Sequence, residues 1–197
     1  MSCTHLLYLH GFRSSPQSTK AQQMAAHVAQ HWPQVQWCCP ALPPSPAQAV
    51  RLAEEVCVDW PKASTGVMGS SLGGVYATVL SQRWKCRAVL LNPAVHPQAH
   101  GEVLVGRFPM WHDPTQFMRF TPAYLQELAD LDPSRLHHPQ RILSIVARGD
   151  EVLDAAELEA YYADTQLHAV DGGDHALSDF ADWLPLIDAF LLAPDPG

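Results

Sequence analysis

Short apolar runs alternate with longer amphipathic stretches along most of the chain. Apolar runs of about four to eight residues bounded by Gly, Pro or polar residues indicate strands, and apolar residues three or four positions apart indicate one face of a helix. Met24, Val28 and Trp32 have this helical spacing, and Pro46 suits the first turn of another helix. The pattern predicts strands over 4–9, 34–39, 64–68, 86–91, 141–147 and 166–170, and helices over 20–32, 46–60, 72–83, 155–163 and 178–192.

This alternation predicts an α/β protein built as a three-layer α/β/α sandwich around a mostly parallel six-stranded sheet. Right-handed crossovers between parallel strands place helices on both faces of such a sheet. We expect one domain over 1–197, because the chain shows no internal repeat or linker and its length suits a single core.

The segment 97–138 interrupts the alternation, because it is rich in Pro, Phe, Trp and His and offers no clear strand. About forty residues exceed an ordinary connection, so we expect a helical or irregular insertion that forms a cap or a pocket wall. Phe108 and Trp111 are its candidate substrate-binding residues. The same apolar residues would also suit a lid, a dimer face or a simple cover for the core.

Composition and charge narrow the possible partners. Apolar residues make up 47% of the chain and charged residues 16%, which is typical of a globular protein, and the net charge of −8 argues against a nucleic-acid partner. The chain has neither a basic amphipathic stretch nor a long apolar window, so we expect no membrane partner. The first residues do not resemble a signal peptide, and the five cysteines contain no C-x-x-C pair, so we expect a reduced, cytoplasmic protein.

A metal site is the main alternative use of the histidines. His96 and His100 are four residues apart and His112 lies nearby, but Pro97 stands between the first two and no convincing third ligand follows. We therefore expect neither a metal nor another cofactor.

The motif that most clearly indicates a catalytic residue is "GSSLGG", which begins at Gly69. The pattern G-x-S-x-G fits only with Ser71 at its centre, and it follows a predicted strand and precedes a predicted helix, as a nucleophile elbow does. A serine on such a sharp turn brings the strand and the helix close together, and glycines on both sides relieve the crowding. The alternative is an ordinary polar turn that leads into a helix.

The end of the first predicted strand, "YLHGF", suits an oxyanion hole. A tetrahedral intermediate needs two backbone N–H donors, and the residue after the nucleophile, Leu72, supplies one of them. Phe12 is the candidate for the other, because Gly11 allows the loop to turn its N–H toward the site. His10 and Gly11 are also candidate substrate-binding residues, and the alternative is a strand-ending turn with His10 exposed.

The general base and its orienting acid should follow the serine in the order acid, then histidine. Asp150 lies three residues past the predicted strand 141–147, whereas Asp154 has the pattern of a helix N-cap and Glu151 is expected to be solvated. His175 lies in the glycine loop "VDGGDHAL" before the last helix and is the best candidate for the base. Ser71, Asp150 and His175 therefore form the predicted catalytic set.

Several motifs together resemble the YqiA-type bacterial esterases, a compact branch of the α/β-hydrolase fold. The stretches "LLYLHGFRSSPQS", "LPPSP", "GSSLGGVYATVLSQ", "LLNPAVHP", "GDEVLDAAE" and "GGDHAL" carry the resemblance over most of the chain. It implies a carboxylester hydrolase that also cleaves acyl-thioesters such as acyl-CoA, with a small-molecule substrate and with Ser71, Asp150 and His175 as the triad.

The chain departs from this family pattern in two places. The insertion reads "LVGRFPMWHDPTQFMRF" and lacks an "NPYTGE"-like run, and Asp174 stands where Asn is expected. Asp174 also lies directly beside His175 in the sequence, although adjacent side chains seldom face each other. Two alternatives to the esterase remain: a non-catalytic binding module with the same fold, and a thioesterase or lipase-like enzyme for longer acyl chains.

Overall fold

The computed structural model describes residues 3–133 and 135–194. Within these ranges it contains eight strands: β1 (His5–Leu9), β2 (Gln36–Cys38), β3 (Thr65–Ser70), β4 (Arg87–Leu91), β5 (Gly106–Pro109), β6 (Phe117–Phe120), β7 (Ile142–Ala147) and β8 (Gln166–Val170). The α-helices of the same ranges are α1 (Thr19–His31), α2 (Pro46–Val56), α3 (Leu72–Trp84), α4 (Gly101–Leu104), α5 (Pro122–Leu131), α6 (Ala155–Tyr161) and α7 (Phe180–Leu192).

Six of the strands form one sheet in the order β2-β1-β3-β4-β7-β8, and every neighbouring pair is parallel. The predicted six-stranded sheet is therefore confirmed. The chain runs outward from β1 to β2 and then returns to place β3 on the other side of β1. The strand order thus reverses between β1 and β3, and in open α/β sheets this switch point is where ligands bind.

The residues of each strand alternate between the two faces of the sheet, and each face has its own apolar core. Leu7 and Leu9 of β1 pack on one face with residues of α2, α3, α5 and α6. Leu6 and Tyr8 pack on the opposite face with residues of α1 and α7. The predicted three layers are present, and both faces of the parallel sheet are covered, as its nearly continuous apolar strands require.

The prediction that the segment 97–138 contains no strand is wrong. β5 and β6 form an antiparallel hairpin in which Phe108 pairs with Met118, followed by α5. The strands are only four residues long, and the exposed positions of β6 include the apolar Phe117, which hides the alternation of buried and exposed residues in the sequence. The segment is anchored to the domain, because Phe120 and Leu128 are buried in the same core as α2 and α3.

Candidate active site

Ser71 stands on a sharp turn between β3 and α3, with φ 55° and ψ −122°. This left-handed backbone is uncommon for a residue with a side chain and persists only where the surroundings enforce it. A Cβ on Gly69 would lie 2.2 Å from the oxygen of Gly73, and a Cβ on Gly73 would lie 2.1 Å from the oxygen of Leu9. Glycine is therefore required two residues before and two residues after Ser71, for the reason that the motif predicts.

The structure brings the imidazole of His175 to the serine. Its Nε2 lies 3.0 Å from Ser71 Oγ, and its Nδ1 lies 2.8 Å from Asp150 Oδ2. The loop that carries His175 contains Gly172 and Gly173, whose φ angles are 76° and 75°, so it reaches the end of the sheet through a backbone that favours glycine. The three residues predicted as the catalytic set therefore form one continuous hydrogen-bonded chain.

Asp150 lies on the loop after β7, and its side chain is excluded from solvent. Burial by itself raises the pKa of this carboxyl group, but hydrogen bonds from His175 and from the backbone N–H groups of Leu153 and Val152 outweigh it, so the pKa lies below its usual value. Asp150 is therefore held as a carboxylate beside the imidazole. Asp154 instead caps α6 by accepting the N–H of Ala156, as its motif predicts.

The two predicted oxyanion donors lie at the serine turn or beside it. The Cβ position of Gly11 is 3.1 Å from the Cβ of Ser71, so the loop after β1 lies directly against the elbow. Within the described ranges the N–H of Phe12 has no hydrogen-bond acceptor. Leu72 is the first residue of α3, where backbone N–H groups have no acceptor within the helix. Both N–H groups are thus suited to the predicted role.

A cleft of about 650 Å³ opens above the serine. Of the predicted substrate contacts, Gly11 and Trp111 line this cleft, whereas His10 and Phe108 do not. The ring of Phe108 packs edge-on against the ring of Phe12 at 5.3 Å, so it braces the loop after β1 from behind. Of the four expected substrate contacts, the structure therefore places two at the cleft and two outside its lining.

His10 has a structural role instead. It is buried, and its Nε2 accepts the backbone N–H of Leu42 at 3.0 Å. Burial lowers the pKa of His10, which keeps the imidazole neutral as this hydrogen bond requires. The alternative in which His10 is an exposed turn residue is therefore wrong.

Several residues of the site have no signature in the sequence. Lys20, His112 and Val152 line the cleft beside the predicted residues. Arg13 stacks its guanidinium over the ring of Trp111 at 3.8 Å and donates from Nε to the backbone oxygen of Pro109, so it fixes the hairpin over the cleft. These contacts join segments about a hundred residues apart, which no local pattern indicates.

Two further acidic residues surround the histidine. Glu151, expected to be solvated, is exposed but accepts the backbone N–H of His175 with its Oε2 at 3.0 Å. Asp174 uses its carboxylate to accept the N–H and the hydroxyl of Ser178, at 2.9 and 2.6 Å. Asp174 therefore holds the loop rather than making a hydrogen bond to the imidazole ring.

Metal binding and membrane insertion are two other possibilities for this chain. Within residues 3–133 and 135–194 no group of three His, Cys, Asp or Glu side chains is arranged to hold a metal ion. His96 instead forms a hydrogen bond with the carboxylate of Asp132. No helix of the described residues is long and apolar enough to span a bilayer.

The structure is similar to several solved α/β proteins. It matches a protein from Agrobacterium vitis S4 with a TM-score of 0.76 and 20% identity, over 97% of this chain and 91% of that one. It matches alpha/beta hydrolase domain-containing protein 10 from mouse with a TM-score of 0.69 and 12% identity, over 95% and 91%. A monoacylglycerol lipase from Paleococcus ferrophilus matches with a TM-score of 0.68 and 10% identity, over 96% and 95%.

These structural similarities show that the chain has the α/β-hydrolase fold. A model of the uncharacterised protein family UPF0227 matches residues 5–192, so the chain belongs to that family. This is the YqiA family, and the resemblance inferred from the motifs is therefore confirmed.

Proposed function

We propose that the protein is a serine ester hydrolase in which Ser71 is the nucleophile, His175 the general base and Asp150 its orienting acid. The observation that carries the proposal is the hydrogen-bonded chain from Ser71 Oγ through the imidazole to a buried carboxylate, with links of 3.0 and 2.8 Å. A nucleophile, a base and an orienting group within hydrogen-bond reach of one another are the signature of covalent acyl transfer.

In the proposed reaction Ser71 Oγ attacks the acyl carbonyl carbon while His175 Nε2 takes the hydroxyl proton. The N–H groups of Phe12 and Leu72 donate to the oxyanion of the tetrahedral intermediate. The intermediate then collapses, the C–O or C–S bond breaks, and the leaving alcohol or thiol receives the proton from His175. Water, deprotonated by the same imidazole, attacks the acyl-enzyme, and the acid departs as Ser71 regains its proton.

The lining of the cleft suits a small acyl ester. Acyl-thioesters are a second substrate class that can react by the same steps. Trp111 and Val152 provide apolar surface at the cleft, and Trp111 is 68% exposed, so much of its surface is available to an acyl group. We assign the insertion 97–138 the role of a pocket wall within a single catalytic domain, because Trp111 and His112 of this segment line the cleft. The monoacylglycerol lipase among the structural matches is named for an ester substrate, which is consistent with the proposal.

We place the reaction in the cytoplasm. Support comes from the cysteines, all five of which are free thiols, as is usual in a reducing compartment.

Hydrolysis of p-nitrophenyl acetate, butyrate and decanoate, with the matching acyl-CoA thioesters, tests the proposal. Ser71→Ala should abolish turnover, whereas Ser70→Ala, which removes the neighbouring hydroxyl, should keep most of it. Preference for the short esters supports a small acyl site, and preference for decanoate favours a lipase-like role. A folded wild-type protein that cleaves none of these compounds would refute the proposal and favour a binding module.

A further inference from the structure

The end of β4 carries a buried asparagine that the proposed reaction does not use. Asn92 has no solvent-exposed surface. Its Nδ2 donates to the backbone oxygens of Asp174 and His175, at 3.0 and 3.2 Å, and its Oδ1 accepts the N–H of Ala147 at 2.8 Å. One side chain therefore ties the end of β4 to the end of β7 and to the loop that carries the proposed base.

The histidine loop depends on such anchors. Gly172 and Gly173 make its backbone pliable, and no regular element holds His175. The C=O of His175 is bound by Asn92, and its N–H is bound by Glu151. Of these two anchors the amide is fully buried and Glu151 is exposed, so Asn92 provides the more rigid one.

The same short segment also holds the nucleophile. The N–H of Ser71 donates to the oxygen of Leu91 at 3.0 Å, and the N–H of Ala94 donates to the oxygen of Ser71 at 3.0 Å. Residues 91–94 therefore contact Ser71 through the main chain and His175 through the side chain of Asn92. This segment therefore links the backbone of Ser71 to the loop that carries His175.

The residue type at this position is closely specified. The site requires two donors and one acceptor in a short side chain, which is what an amide supplies. The backbone φ of Asn92 is 40°, a left-handed value that Asn and Asp tolerate better than most residues and that Gly adopts freely. Asn92 does not line the cleft, so it has no contact with a bound substrate there.

We propose that Asn92 is the positioning residue that holds the imidazole of His175 at hydrogen-bond distance from Ser71 Oγ. The kinetic consequence of this inference rests on the proposed function, whereas its structural consequence rests on the observed contacts alone. A displacement of about 1 Å in a catalytic group can cost about 10²-fold in rate. Loss of Asn92 should therefore lower kcat and leave KM nearly unchanged.

Three variants test this proposal. Asn92→Gly keeps the backbone conformation and removes all three hydrogen bonds, whereas Asn92→Asp keeps the size and the acceptor but has at most one donor. Ser81→Ala is the matched control, because Ser81 is equally buried and donates to Cys86 O just before the other end of β4, at 2.8 Å. We expect kcat to fall about 10²-fold in Asn92→Gly and about tenfold in Asn92→Asp, and to stay within about twofold in Ser81→Ala.

Proton NMR gives a second readout that needs no turnover. The proton between His175 Nδ1 and Asp150 should give a downfield signal in the wild type and in Ser81→Ala, and this signal should shift or broaden in both Asn92 variants. Wild-type kcat together with an unchanged signal in the folded Asn92 variants would overturn the inference. If Asn92→Gly does not fold, Asn92→Asp decides. If the wild type hydrolyses nothing, the proposed function fails and the proton signal still decides the role of Asn92.

Discussion

Replacing Asp150 by Asn should reverse the polarity of one hydrogen bond in the site and leave the fold in place. Asp150 Oδ1 accepts the backbone N–H groups of Val152 and Leu153, at 2.8 and 2.9 Å, and only an oxygen can do so. The new amide oxygen must therefore occupy this position, and its NH₂ group must face Nδ1 of His175. The imidazole then accepts at Nδ1 and carries its proton on Nε2, where it can no longer take the proton of Ser71.

The size of this effect follows from the wrong tautomer. The same change in a serine protease lowers kcat about 10⁴-fold, or about 5.5 kcal/mol at about 1.36 kcal/mol per factor of ten. We expect a loss of this order in Asp150→Asn with p-nitrophenyl butyrate, with little change in KM.

Asp154→Asn is the matched control for this prediction. Asp154 caps α6 through the N–H of Ala156, and Asn caps helices about as well as Asp, so kcat should stay within about twofold of the wild type. A folded Asp150→Asn variant that keeps more than a tenth of the wild-type kcat would refute the reasoning about the tautomer. So would an equal loss in Asp154→Asn.

Three further predictions concern the elbow, the buried histidine and the pocket wall. Gly73→Ala should lower the free energy of unfolding by about 3 kcal/mol or more in urea titrations, because its Cβ would lie 2.1 Å from the last carbonyl oxygen of β1; a loss under about 0.5 kcal/mol would contradict this. The hydrogen bond to His10 should stabilise the fold fully above about pH 6.5, the usual pKa of an unfolded histidine, and this stability should be lost as the pH falls toward the lowered pKa of folded His10, because a protonated imidazole cannot accept the Leu42 N–H. His10→Asn should flatten this dependence of the free energy of unfolding on pH. An unchanged slope would count against the assigned role of His10. Trp111→Ala should raise KM for aryl esters several-fold, whereas Phe117→Ala, an exposed aromatic of the same hairpin outside the cleft, should not; equal effects would exclude a specific wall at Trp111.

The sheet could be predicted from the sequence because parallel strands buried on both faces are nearly continuous apolar runs. All six residues of β7 are buried, and its sequence contains only one polar residue, Ser144. Ser71, Asp150 and His175 could be predicted because each follows a strand whose carboxyl end lies at the same edge of the sheet. The chain order and the glycines around Ser71 then selected the serine.

The supporting residues could not be predicted because their partners are distant in the sequence. Asn92 contacts a loop 82 and 83 positions later, and its Asn-Pro pattern by itself indicates only the end of a strand. The buried His10 accepts a hydrogen bond from Leu42, which lies 32 positions away in the sequence. The hairpin of β5 and β6 has no clear signature in the sequence because Phe117 is an apolar residue on its exposed side.

Covalent labelling can show directly whether Ser71 is the nucleophile. The wild-type protein would be treated with a fluorophosphonate, and its intact mass and tryptic peptides would be measured. We expect one adduct per chain, on the peptide that contains Ser71, with none in Ser71→Ala and normal labelling in Ser70→Ala. Equal labelling of the wild type and Ser71→Ala, or an adduct on another residue, would contradict it.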